Sequence, residues 1–337
     1  MLNKLNCPHC YSVKCHELKK YETKQNGVKN LYLCDECKRS FSETKGTFLE
    51  GIKTAVSFII NVFKMRTEGM SFNATCRTAG ISKNTLLNWE RKFSEIKTTL
   101  LLYAMLHQFL SQFIEGDELY TKINKNLPIE DCQDWTIVLM ERASRFIWNL
   151  ACGKKDRTLF FHALQILREV IARTGDVTLA TDGERRYGNI LFEICHEVAH
   201  NGMRGRPPKT LLKGVKVRLK NKGNLSKKKT GAREKYEAPH NEHPQTNQNI
   251  SNSDVHANHV EALNAAIRRK NSAYRRKTNT YAKSTKSLQR TLDIYWVAHN
   301  FVVKHFTTGQ VPAVALGILK EGLSWLQVFQ IRKSCIP

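Results

Sequence analysis

Three carboxylates in this chain have the types and settings that phosphoryl transfer needs. Asp117 follows Phe113-Ile114 in FIEGDELYTKI, Asp182 ends VTLATD ahead of GERRYG, and Glu261 opens the helical stretch HVEALNAAIRRKNSAYRRK. Two acids carried by strands and one by a helix can hold a pair of divalent ions. Mg²⁺ or Mn²⁺ suits such oxygen ligands, and two ions together stabilise the attacking and leaving oxygens of an in-line displacement. Asn264 and Arg268 lie three and seven residues beyond Glu261. At that spacing the helix carries an amide and a guanidinium on the same face as the third acid.

A second set of candidate ligands is made of thiols. Cys7-Pro8-His9-Cys10 and Cys34-Asp35-Glu36-Cys37 are two knuckles with twenty-three residues between them. Each supplies two thiolates from one tight turn, so the spacing predicts a zinc ribbon with Cys7, Cys10, Cys34 and Cys37 around one Zn²⁺. Four protein ligands leave no open position, which makes this ion structural. Cys15 and His16 lack a partner at knuckle spacing. The chain has ten cysteines in all, and no secretory signal pattern accompanies them, so reduced thiols are expected.

The elements that must position these groups are legible in the periodicity. Residues 52–97 read as helices, with Val56, Ile59, Ile60 and Phe63 on one face. Ser71 and Ser82 are suitable N-caps, and Gly80 can take a left-handed turn between two short helices, which predicts a helix-turn-helix. Its second helix would present Ser82, Lys83, Asn84, Thr85 and Asn88 to a DNA major groove, with Leu86, Leu87 and Trp89 turned partly inward. Further on, FIEGDELYTKI, DWTIVLME and RFIWNLACG are strand-like, and the last two are joined by Arg142-Ala143-Ser144. A helix over Asp156–Arg173 follows, then VTLATD, then a helix from about Arg186 to His196. Three antiparallel strands, a helix and a strand ending in aspartate is the order of a ribonuclease-H-like α/β core, which would set Asp117 and Asp182 side by side. From about Asn201 to Val255 the pattern dissolves into Gly, Pro, Lys and polar residues, and an unpacked excursion is expected.

Charge narrows the partner. The 337-residue chain is 41% hydrophobic and carries a formal net charge of +24. Thirteen Lys and Arg face one acid between Arg204 and Lys235, and nine face none between Arg268 and Arg290. Those two stretches account for most of the excess, so a polyanion held through phosphate contacts is the expected partner. Arg204-Gly205-Arg206-Pro207-Pro208 is narrow and extended enough for its arginines to lie in the minor groove of A·T-rich DNA. No apolar run reaches the roughly 18 residues of a membrane span, so no membrane partner and a cytoplasmic location are expected.

At GDELY, TDGERRYG and HVEALNAAIRRKNSAYRRKTNTYAKS the chain resembles the DDE transposases of short bacterial insertion sequences, of the insertion-sequence-one type. The resemblance runs from Cys7 to about Phe306. It implies a zinc ribbon (1–46), a helix-turn-helix DNA-binding domain (47–105) and a ribonuclease-H-like catalytic domain (106–200 and 256–310). A basic flexible insertion (201–255) and a C-terminal helical tail (311–337) complete the chain. It also implies that Asp117, Asp182 and Glu261 bind two Mg²⁺ or Mn²⁺ ions, and that Asn264 and Arg268 support the site. Arg204, Arg206, Arg269, Lys270, Arg275, Arg276 and Lys277 would hold DNA. The expected partners are terminal inverted repeats and target DNA, engaged by a homodimer or higher assembly near the bacterial nucleoid. One departure is the seventy-eight residues between Asp182 and Glu261, longer than in the shortest members. Glu234, Glu237 and Glu242 fall in that gap but lack a helical face. The competing expectations are a non-catalytic DNA-binding regulator or transposase remnant, and a host nuclease of the same fold.

Overall fold

The computed structural model describes residues 5–110, 112–125, 134–181, 184–198, 205–219, 240–241, 256–275 and 280–332. At the N-terminal side, β1 (Cys15–Thr23), β2 (Gly27–Cys34) and β3 (Ser40–Ser42) form a small antiparallel sheet. Its buried residues, Cys7, Cys34 and Phe41, are a cluster separate from the main core. With so few apolar side chains, this sheet depends on something other than hydrophobic burial to stay folded.

Four helices follow: α1 (Val56–Thr67), α2 (Phe72–Ala79), α3 (Lys83–Ser94) and α4 (Ile96–His107). The Ser71 side chain accepts from the Ala74 N–H and that of Ser82 from the Thr85 N–H. Each such cap contributes on the order of 1 kcal/mol. Gly80, at φ 63°, makes the left-handed turn between α2 and α3. Phe48, Phe63 and Phe93 bury fully in a cluster of rings.

The large sheet has the order β11-β10-β7-β4-β5-β6. Its strands are β4 (Gln112–Tyr120), β5 (Asp134–Glu141), β6 (Ile147–Lys154), β7 (Val177–Thr181), β10 (Val215–Leu219) and β11 (His240–Asn241); β8 (His196–Val198) and β9 (Lys209–Leu211) form a two-stranded annex. β5 runs antiparallel to β4 and β6, whereas β4, β7 and β10 are mutually parallel. All five residues of β7 are buried, as expected for a central parallel strand covered on both faces. Helix α5 (Arg157–Thr174), capped by Asp156, crosses from β6 to β7, and α6 (Arg186–Ile194) packs beside it. Helices α7 (Asn258–Lys270) and α8 (Thr285–Val297) contact the sheet at β4, β5 and β6.

The edge strand β6 is closed off by side chains. Gln289 of α8 accepts from the Cys152 N–H and donates to Leu150 O. Asn300, in a π-helical turn at Ala298–Val302, pairs with both the N–H and the C=O of Ile147. An edge supplied with partners in this way cannot recruit another strand at those positions.

One feature departs from the sequence reading, and a second gives the expected C-terminal helical tail its place. The stretch 201–255 was expected to stay outside the packed core, but Val215–Leu219 is a strand of the large sheet, with Val217 fully buried and Val215 nearly so. Its Val-Lys-Val-Arg-Leu alternation is a strand signal that the surrounding lysines obscure. The residues beyond 310 form α9 (Pro312–Ala315) and α10 (Trp325–Phe329), and α10 packs into the N-terminal helices. Phe329 lies 4.5 Å from Phe48 and 5.5 Å from Phe63 between ring centroids, and Trp325 reaches Phe93. The four helices therefore share one continuous core with the large sheet and α10.

Candidate functional site

Asp117 is on β4, the strand between β7 and β5. Because successive strand residues face opposite sides, Glu115 and Asp117 point to one face and Gly116 to the other. Gly116 sits in close approach: a Cβ there would meet Thr181 Cγ2 at 3.1 Å, Tyr187 Cε1 at 3.2 Å and Leu139 Cδ2 at 3.3 Å, tight contacts that those side chains would have to relieve. Helix α6 thus presses directly under the strand, and the two acids face α7.

The half-buried Asp117 carboxylate accepts from the Glu118 N–H at 2.8 Å through Oδ1 and from Asn264 Nδ2 at 2.5 Å through Oδ2. Neither donor carries a charge, so both orient the carboxylate without neutralising it. Asn264 is buried, and its Oδ1 has no hydrogen-bond partner among the described residues. Glu261 lies one turn before Asn264 and is exposed; Arg268 lies one turn beyond and is half-buried. The structure thus joins Asp117 to the α7 face that carries Glu261, Asn264 and Arg268. On the other flank, the β4–β7 register pairs Glu115 with Ala180, and Thr181 ends β7. Asp182 itself lies outside the described residues.

Sequence reasoning missed Glu115. This carboxylate is fully buried, and it docks the start of α7. The helix has no side-chain cap of its own at Ala257. Glu115 supplies one from the sheet: Oε2 accepts from the N–H groups of His259 (3.1 Å) and Val260 (2.9 Å), while Oε1 meets His259 Nδ1 at 2.8 Å. A carboxylate at a helix N-terminus also interacts favourably with the helix dipole. Arg142 balances its charge, with Nε 2.7 Å from Oε1, the guanidinium stacked 3.7 Å from the Phe113 ring centroid, and Nη2 donating to His256 O. Glu115, His256 and His259 lie close enough together to hold a metal ion. A guanidinium already bonded to the shared carboxylate opposes a second cation there, and we read the trio as a helix anchor. The only sequence signal was a third acid at i−2 from Asp117.

At the other end of the molecule, the Sγ atoms of Cys7, Cys10, Cys34 and Cys37 all lie within 4.8 Å of one another. Cys7 and Cys37 are 3.6 Å apart and Cys10 and Cys34 3.5 Å. With Zn–S bonds of about 2.3 Å, the edge of a thiolate tetrahedron is roughly 3.8 Å, so the quartet fits a closed four-thiolate metal site. The knuckles share one backbone design: Cys7 O accepts from Tyr11 N and Cys34 O from Lys38 N, and both Tyr11 and Lys38 have positive φ. Backbone N–H groups, that of Cys37 first and then that of Glu36, pull the Cys34 thiol down to about 6 against the opposing effect of burial. That favours the thiolate a metal needs. Cys15 stays outside the quartet and donates to Ser12 O.

The expected DNA-contacting residues are spread over several surfaces. Ser82, Lys83, Asn84 and Asn88 are exposed along α3 and Thr85 is half-buried, while Leu86 and Trp89 are buried beneath them. The back of α3 is fastened to the sheet-bearing unit, since buried Glu90 bonds Arg66 Nε at 2.6 Å and Arg290 Nε of α8 at 3.4 Å. Arg206, Arg269 and Arg275 are exposed, and Lys270 pairs with Glu68. Arg204, Arg276 and Lys277 lie outside the described residues. Among the described residues, no helix is long and apolar enough to cross a membrane. No protein-family description matches this chain, and no curated protein matches it either.

Proposed function

We propose that this protein is a DNA transposase that binds the ends of an insertion sequence and cuts and joins DNA at a carboxylate site formed by Asp117, Asp182 and Glu261. The observation that carries the reading is the bond between Asp117 on the central strand and Asn264 on α7, which holds the face bearing Glu261 against the sheet. Asp182 follows directly after Thr181, the last residue of the strand parallel and adjacent to β4. The sheet order supports a ribonuclease-H-like core. Counting β4 as its first strand, the order is 5-4-1-2-3 with the second strand reversed.

The donor set fits hard divalent cations: carboxylate oxygens, an uncharged amide orienting one of them, and a buried amide oxygen without a described partner. Bound there, two Mg²⁺ or Mn²⁺ ions would activate water for attack on a phosphodiester and stabilise the oxygens that gain charge. Asn264 holds Asp117 in one rotamer. Arg268, a turn away, supplies a positive group for a phosphate oxygen. The closed thiolate site, as a zinc ribbon, and the exposed face of α3 would recognise the terminal repeats. Fastening α3 through Glu90 fixes the distance from that recognition surface to the cleavage site.

The test is metal-dependent cleavage and strand joining with DNA carrying the element's own end, comparing the wild type with Glu261→Gln and measuring end binding in parallel. The expected result is loss of cleavage and joining with binding retained. Wild-type binding without cleavage under either metal would instead indicate a DNA-binding regulator.

A further inference from the structure

Helix α7 has a second flank. Opposite Glu261 and Asn264, a groove of about 510 Å³ is lined by α7 from His259 to Lys270, by Arg145, and by the segment from Tyr295 to Thr307. Its volume is in the range of roughly 300–1,000 Å³ found for small-ligand sites. No acidic residue lines it. Arg145, Arg269 and Lys304 line it, Arg145 with its guanidinium donating to Arg142 O, and none has a carboxylate oxygen within 4.0 Å among the described residues. Lys270 lines the groove as well, paired with Glu68, and Glu115 and Glu141 act on Arg145 from behind the wall, so the cations outnumber the acids near them and the groove suits an anion.

The placement of Arg145 is forced. Its φ of 65° is left-handed, a conformation that costs a residue with a side chain. The surroundings hold it there: Glu141 accepts from the N–H groups of Ala143 and Ser144 to fix the turn, and His299 Nε2 donates to Arg145 O at 2.9 Å. Phe306, also in the lining, is wholly exposed, at 101% of its reference area. It projects from a turn closed by His305 N to Gln310 O at 2.8 Å and Gly309 N to His305 O at 2.9 Å. A bare ring held on an ordered turn of a groove lined by cations offers both halves of a nucleotide a contact: a π-face for the base and positive charge for the phosphate.

We infer that this groove binds one unpaired nucleotide of a DNA strand, its phosphate against Arg145, Arg269 and Lys304 and its base stacked on Phe306. The inference rests on the reading of the Asp117 site as a DNA-cutting centre, and it adds a place for a base drawn out of the duplex on the other flank of the helix that carries Glu261. The nucleotide adds its stacking surface to the site, and the groove selects unpaired over paired DNA because a paired base has no free face to offer.

The test uses the full chain and oligonucleotides of about 20 nucleotides carrying a single 2-aminopurine, whose fluorescence is quenched on stacking. One is single-stranded, and the other is a duplex with that base unpaired. Wild type is expected to quench the probe, Phe306→Trp to preserve quenching, and Phe306→Ala to abolish it with about a tenfold loss of single-strand affinity. Arg269→Ala with Lys304→Ala should lower the slope of log affinity against log salt by roughly 1.4. Absence of quenching in the wild type, or quenching unchanged in Phe306→Ala, overturns the assignment. Wild-type cleavage, measured beside quenching, separates the two readings. Quenching by a wild type that cuts DNA under neither metal leaves this subsite standing and removes the transposase reading; cutting without quenching does the reverse.

Discussion

The thiolate quartet and the proposed carboxylate site are built in opposite ways. The quartet is assembled from two copies of one short turn, joined by a hairpin, with almost no apolar core beneath it. The carboxylate site draws Asp117 and Asn264 together from positions 147 residues apart, on elements that belong to the main core. As metal centres, the first would have ligands that hold the fold and the second a fold that holds the ligands. Removing a metal should therefore unfold one region and only silence the other.

The largest expected effect comes from testing that contrast directly. Chelation, or Cys34→Ser, should expose residues 5–42 to protease while the large sheet stays resistant. Structural zinc contributes on the order of 10 kcal/mol to small domains of this kind. Metal analysis should find one zinc per chain. Resistance of residues 5–42 after complete metal removal would sink the structural role.

Next in size is Asp117→Asn, which should lower metal-dependent cleavage by about 10³-fold or more while leaving the melting temperature nearly unchanged. Asn264→Ala, which only frees the carboxylate's orientation, should cost about 10–100-fold. A similar loss from both substitutions would show that Asn264 does more than orient.

Glu115→Gln sharpens the comparison within one strand. Two residues from Asp117, this change should cost about 3–5 kcal/mol of stability, because it leaves Arg142 with an uncompensated charge and weakens the anchor of α7. Thermal melts of the two variants are expected to differ widely. If Glu115→Gln melts like wild type, the anchor assignment fails.

The smallest effect concerns pH. Burial, above all, pushes His299 down to about 4. Between that value and the ordinary histidine value of about 6.5 the unfolded chain binds more protons than the folded one. Stability should then be fully present above about 6.5 and fall as pH drops toward 4. His299→Gln should flatten that part of the profile in melts recorded across the window, and an unchanged slope would assign the acid sensitivity elsewhere.

Much of this architecture was legible because it is written locally. Ser71, Gly80 and Ser82 mark the turns around α2 and α3 by their own chemistry, and DWTIVLME coincides with β5. The cysteine knuckles are likewise short-range signals. Glu115 was not legible, since its role depends on a helix N-terminus 144 residues away, and an acid in a strand gives no hint of which helix it caps. β10 was hidden by lysines flanking a five-residue alternation. The destination of Trp325 and Phe329 was equally open, because an apolar helix says that it will be buried but not against what.

The packing of Phe329 against Phe48, Phe63 and Phe93 also has a consequence in time. A ribosome adding roughly 5–20 residues per second needs about 12–47 s to travel from Phe93 to Phe329. For that interval the emerging helices lack the ring that completes their core. The surface of α3 therefore matures only after the large sheet has been synthesised, so a nascent chain cannot present a finished α3 before the segment bearing Asp117 and Glu261 exists.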